Sequence, residues 1–82
     1  MPVEELQTDH RLIGTKQVKK AIVESSTYKV YVAVDAEPHI AVPLQELCAE
    51  HGVMIDHTYT MKELGTICNI EVGAAAVALL RI

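Results

Sequence analysis

The sequence predicts an α/β fold, a three-layer α/β/α sandwich around a four-stranded mixed sheet, built as a single domain over residues 1–82. Three observations predict it. Segments with helical and with strand periodicity alternate along the chain, which suits strands covered by helices better than a bundle or an all-β sandwich. Residues 28–34 are mostly β-branched or aromatic and, Lys29 aside, apolar on both faces, as expected of a central strand covered on both sides. Half of the 82 residues are apolar, yet Phe and Trp are absent. Val, Ile, Leu and Ala must therefore form thin, close-packed layers in a chain long enough for one domain only.

Taken in order, residues 2–9 read as a short opening helix, and Leu12-Ile13 as a brief strand that ends at Gly14. Residues 15–24 carry Val18, Ala21 and Ile22 at the spacing of one helix face, with Thr15 as the expected N-cap. After the strand at 28–34, Asp35-Ala36-Glu37-Pro38 turns the chain, and Pro38 suits the first position of a helix. Ile40, Ala41, Leu44, Leu47 and Cys48 continue that helix; Pro43 should disturb its first turn, and Gly52 should end it. Residues 53–57 form the next strand. Thr60 and Glu63 make a capping box for a helix carrying Leu64, Ile67 and Cys68, closed near Asn69. Residues 74–82 form the last strand, with alanines where neighbouring elements must approach closely. Four helices and four strands are expected.

Several function classes are excluded by composition. The longest weakly polar stretch, 72–80, has nine residues, whereas a membrane helix needs about twenty. The acidic start, Met1-Pro-Val-Glu-Glu-Leu, is unlike a secretory signal, so a cytoplasmic protein is expected. Cys48 and Cys68 are isolated and read as two buried free thiols of a reducing compartment. Asp35 and Glu37 are paired carboxylates in a turn before a helix, where they are expected to cap it rather than to catalyse. His10, His39, His51 and His57 fall at element ends without metal-ligand spacing, and no phosphate-loop or dinucleotide motif occurs. The expectation is a protein that is not an enzyme and needs no cofactor or metal.

Net charge is −4, which weighs against a nucleic-acid partner. The total conceals an uneven distribution. Lys16, Lys19 and Lys20 lie close together, while carboxylates crowd the amino terminus and the stretch 35–50. Lys16 falls in the first turn of a helix, where the backbone is already electropositive and acidic residues are favoured. Each such cation costs roughly 0.3–1 kcal/mol at worst, and an anion would relieve that cost. With the Gln17 amide, the lysines make a surface able to take phosphates and base edges. The alternative is a helix face whose lysines are simply solvated.

Three stretches point further. Gly14-Thr15-Lys16-Gln17-Val18-Lys19-Lys20-Ala21, Ala33-Val34-Asp35-Ala36-Glu37-Pro38, and Met61-Lys62-Glu63-Leu64-Gly65 followed by the run Asn69-Ile70-Glu71-Val72-Gly73-Ala74-Ala75-Ala76-Val77-Ala78 occur in this order. In this respect the chain resembles the L-seven-Ae/L-thirty-e family of ribosomal and kink-turn-binding proteins, in particular its small bacterial branch, from about residue 10 to its end. The alanine-rich run after Glu71-Val72-Gly73 is the most specific part of the match.

The resemblance implies recognition of a kink-turn, an RNA helix bent at a short bulge beside tandem sheared G·A pairs. The helix start at Gly14 and Thr15 would enter the widened major groove and read those guanines. Many members carry Gly-X-Asn-Glu there, with a lysine further along. Here Lys16 falls on the Asn position, Gln17 on the Glu position and Lys20 on the lysine, with Lys19 beside it. This replaces a carboxylate acceptor by an amide, a pair typical of the bacterial branch. Glu37 matches a position whose carboxylate touches the nucleotide flipped out of the bulge, and Ile70, Glu71, Val72 and Gly73 match the loop packed against it. From chemistry alone Ile70 and Val72 would be loop-anchoring hydrophobes; the resemblance instead gives them an extruded base to pack on. The implied partner is structured RNA, whether ribosomal RNA, a riboswitch or another non-coding RNA, bound by a monomer with no membrane contact. The rival reading is a protein-interaction or structural module of the ribosome.

Overall fold

In a computed structural model, which describes residues 10–81, the expected alternation is present. The elements are β1 (Arg11–Ile13), α1 (Thr15–Val23), β2 (Thr27–Val32), α2 (Pro38–His51), β3 (Met54–Asp56), α3 (Met61–Ile67) and β4 (Ala76–Leu80). The four strands make one mixed sheet in the order β1-β4-β2-β3. β4 lies antiparallel to both β1 and β2, and β3 is parallel to β2. The described residues contain three helices; the helix expected over 2–9 lies outside them.

The periodicity of each element decides which face it covers. Val18, Ala21 and Ile22 of α1 and Leu44 and Cys48 of α2 are buried against Val30, Val32, Ala76 and Ala78 on one side of the sheet. Leu64 and Cys68, from α3 and its cap, pack with Tyr31, Ala33, Val77 and Leu79 on the other. Consecutive residues of β2 thus feed opposite layers, as its two apolar faces require. The result is the three-layer sandwich. Cys48 and Cys68 are free buried thiols on opposite sides of the sheet. Burial pushes both thiols up from their ordinary pKa, and the Arg11 charge pulls Cys68 partly back. No described helix is long and apolar enough to cross a membrane.

Register shows where the helices begin. Ile13 stands opposite Val77, Val32 opposite Ala76, and Tyr31 opposite Asp56. β1, β2 and β3 therefore finish at the end of the sheet where β4 starts, and α1, α2 and α3 each begin just beyond that same end.

Departures from the predicted boundaries have local causes. The strand expected over 28–34 stops at Val32 because Ala33 donates to the Ala75 carbonyl and Val34 to Tyr59, outside the ladder. The last strand starts at Ala76 rather than at 74, because Ala74 donates to the Met61 carbonyl. The helix at 38–51 runs unbroken through Pro43. In its first turn Ile40 and Ala41 both donate to the Glu37 carbonyl, at 2.9 Å each. Gly52 ends it in the left-handed conformation at φ 66, and the Thr60–Glu63 capping box forms in both directions.

Candidate nucleic-acid interface

The start of α1 is set by Gly14 rather than by Thr15. Gly14 is the N-cap, at φ 111 and ψ 146, and no side chain caps the helix; Thr15 is its first helical residue, correcting the expected N-cap. The reason is conformational. A Cβ on Gly14 would meet nothing within 4 Å, but that φ is open almost only to glycine. In this conformation the Gly14 N–H donates to Ala76 on β4 at 3.0 Å, while its carbonyl accepts from Val18 at 3.0 Å. The turn pins the helix start to the sheet.

Burial of Val18, Ala21 and Ile22 then fixes the helix rotation. Lys16, Gln17 and Lys20 are exposed and Lys19 is half-buried. Lys16 and Lys20 are neighbours four residues apart, a like-charge pair that weakens a helix by roughly 0.2–0.5 kcal/mol. With no acidic residue in the first turn and no capping side chain, positive potential accumulates at this end.

A second surface forms from two loops. The Asp35 carboxylate accepts a hydrogen bond from the Met61 N–H at 2.8 Å. It therefore caps α3, across the sheet end, and not the helix that follows it. Glu37 holds the N-cap position of α2 without making a side-chain cap. Its carboxylate is exposed and lies 3.4 Å from the His39 imidazole nitrogen Nδ1. The Ile70 N–H donates to Gly65, and a Cβ built on Gly65 would fall 2.2 Å from the Val72 carbonyl oxygen. The loop 70–73 thus lies directly on the α3 backbone. The two hydrophobes of this loop have different surroundings: Ile70 packs, half-buried, against the α3-side core, while Val72 is 71% exposed. Between the loop and α3 opens a cavity of about 370 Å³, lined by Asp35, Lys62, Thr66, Ile70, Glu71 and Val72 among others.

Three successive alanines leading into β4 join these parts. Ala74 donates to Met61 of α3, Ala75 accepts from Ala33 before the Asp35–Glu37 turn, and Ala76 accepts from Gly14. Sequence reasoning expected close approach at these alanines but missed what they hold. It also missed Lys62 on the cavity wall, Gly65 as the space the loop needs, and the true partner of Asp35. Lys62 and Gly65 were in view in the third motif, but spacing alone gave no sign that residues 70–73 fold back onto them. The histidines fall at separate element ends, and the described residues contain no group of three or more His, Cys, Asp or Glu able to hold a metal.

The model of the ribosomal protein L7Ae/L30e/S12e/Gadd45 family matches residues 3–81. The chain belongs to that family. An RNA-binding protein of Caldanaerobacter subterraneus subsp. tengcongensis is 46% identical over 68 residues, 83% of each chain. RNA-binding protein YbxF of Geobacillus stearothermophilus is 42% identical over 76 residues, 93% of each. The large ribosomal subunit protein eL8 of Halobacterium salinarum is 40% identical over 67 residues, 80% of this chain and 56% of that one. Among solved structures, the Giardia lamblia 15.5kD RNA binding protein superposes with a TM-score of 0.87 at 21% identity, over 98% of this chain and 68% of its own. That likeness establishes the L7Ae-type fold. Within it, this chain's Lys16-Gln17 pair stands on the exposed first turn of α1, at the sheet end it shares with the loops at 35–37 and 70–73.

Proposed function

We propose that this protein binds RNA through the end of the sheet where its helices begin, and that the form it selects is a kink-turn. The observation that carries the reading is the uncapped, lysine-bearing start of α1 at the same end as a loop whose Val72 is exposed. Gly14 and Thr15 let the RNA approach the helix start. Lys16, Lys19 and Lys20 take phosphates and guanine acceptor edges, and the Gln17 amide presents both a donor and an acceptor to a base edge. Glu37 accepts from the extruded nucleotide, and Val72, backed by Ile70, Glu71 and Gly73, packs on its face. Lys62, on the wall of the loop cavity, adds a cation to this arm. The protein acts by population shift: it binds the bent RNA more tightly than the extended form and so enriches it. It works as a monomeric cytoplasmic domain, and binding rather than catalysis is its activity.

The test is titration of the purified protein into a fluorescently labelled kink-turn, beside a control whose G·A pairs are replaced by Watson–Crick pairs. Tight, salt-sensitive binding to the first and weak binding to the second is expected, because each phosphate neutralised adds about one unit to the slope of log affinity against log salt. Equal weak binding to both RNAs would overturn the kink-turn reading. Affinity indifferent to salt would favour an apolar protein-interaction module instead.

A further inference from the structure

A second recess adjoins the loop cavity. On the other side of the first turn of α3 lies a groove of about 240 Å³, lined by Tyr59, Lys62, Glu63, Thr66 and Ile67. Lys62 and Thr66 line both recesses, so the two lie side by side along α3 and share a wall. The groove has an aromatic wall in a protein that has few: its ring belongs to Tyr59, held against Tyr31 at 6.0 Å between centroids and tilted by 40°. Ile67 is half-buried beside it. At the rim the two charges are unequally available. The Glu63 carboxylate is drawn back onto the Thr60 N–H at 2.9 Å by the capping box, while the exposed Lys62 ammonium takes part in no ion pair among the described residues.

We propose that this groove is a second nucleotide subsite, taking the base next to the one held at the 70–73 loop. The inference rests on the kink-turn reading and extends its surface past α3. The strand leaving Val72 meets Lys62 first, whose ammonium pairs with the intervening phosphate. The next base then lies on the Tyr59 ring with Ile67 and the Thr66 methyl at its edge. A fixed aromatic face with an adjacent cation is the arrangement that holds unpaired bases without regard to sequence. Adjacency to the loop cavity and the exposed Lys62 cation between the two favour an RNA strand over an apolar peptide as the occupant.

The experiment uses the full chain and two labelled kink-turns, one with an ordinary short bulge and one with an additional unpaired nucleotide in the bulge. The unmodified protein is expected to bind the longer bulge about fivefold or more tightly, in keeping with base–aromatic stacking. Tyr59→Leu should abolish that preference while leaving affinity for the short bulge within about twofold, and Tyr59→Phe should keep it. The ratio between the two RNAs is insensitive to any general loss of folded protein. A 4-thiouridine at the added position should photocross-link to the peptide spanning residues 59–67. A preference that is absent, or that survives in Tyr59→Leu with the cross-link elsewhere, overturns the subsite and leaves the groove to a protein contact. Failure of the short-bulge RNA to bind better than its Watson–Crick control is a different result, and it removes the kink-turn reading itself.

Discussion

The two arms of the proposed RNA surface are built by opposite means. The α1 arm is regular: one glycine in a glycine-only conformation turns the chain, and a buried Val18–Ala21–Ile22 face aims the lysines outward. The loop arm has little regular structure of its own. Its shape depends on contacts between separate segments, namely Asp35 on Met61, Ala74 on Met61, and the Val72 carbonyl on Gly65. In the first arm position follows from local conformation, and in the second from close backbone packing. The difference teaches that the arms should fail differently. Damage to the loop arm should move a surface without altering its charge, whereas removing a lysine from the α1 arm should alter charge without moving anything.

Gly65→Ala gives the sharpest break and the largest effect. Its Cβ would stand 2.2 Å from a backbone oxygen, and backbone cannot rotate away as a side-chain tip can. The variant is expected to lose about 3 kcal/mol of stability, on the order of 15 °C in melting temperature for a domain of this size. At temperatures where it stays folded, affinity for the kink-turn should fall while the salt slope of binding is unchanged. Thermal unfolding by circular dichroism and RNA titrations at several salt concentrations check both. A stable Gly65→Ala protein with full affinity would mean that the loop does not depend on α3.

Gly14→Ala comes next. It introduces no clash, so its expected cost of about 1–2 kcal/mol is that of forcing a non-glycine residue to φ 111. Chemical denaturation measures it. The contrast with Gly65 separates the two uses of glycine, conformation in one arm and space in the other. Thr60→Ala should follow at about 1 kcal/mol. It removes the hydroxyl that accepts from the Glu63 N–H but leaves the Asp35 carboxylate on the Met61 N–H, so α3 keeps one of its N-terminal caps.

This contrast also explains what was legible beforehand. The layers, the two-faced strand at β2, the capping box and the helix stop at Gly52 all announce themselves through periodicity or local cap chemistry, which act over a few residues. The lysine-bearing helix start was readable for the same reason. The loop arm was not, because the partners of Asp35 and the three alanines lie far along the chain, and no periodicity or cap chemistry marks the return of Val72 onto Gly65. Thr15 looked like an N-cap by residue type, but the hydrogen bond from Gly14 to Ala76 places the cap one residue earlier. Ile70 and Val72 looked equivalent by composition, and only the fold makes one an anchor and leaves the other exposed.

Lys20→Ala should have the smallest effect on the fold and is the complement of Gly65→Ala. Lys20 is exposed, four residues from Lys16, and the substitution removes a like-charge neighbour within the helix. Stability should stay within about 0.5 kcal/mol of the unmodified protein. Affinity for the kink-turn should nevertheless fall, and the slope of log affinity against log salt should drop by about one. That result would show a lysine acting through charge on a frame that has not moved. If affinity falls with the slope unchanged, Lys20 is supporting geometry rather than neutralising phosphate, and the division between a charged arm and a shaped arm fails. If neither changes in the folded variant, RNA does not lie against this face of α1.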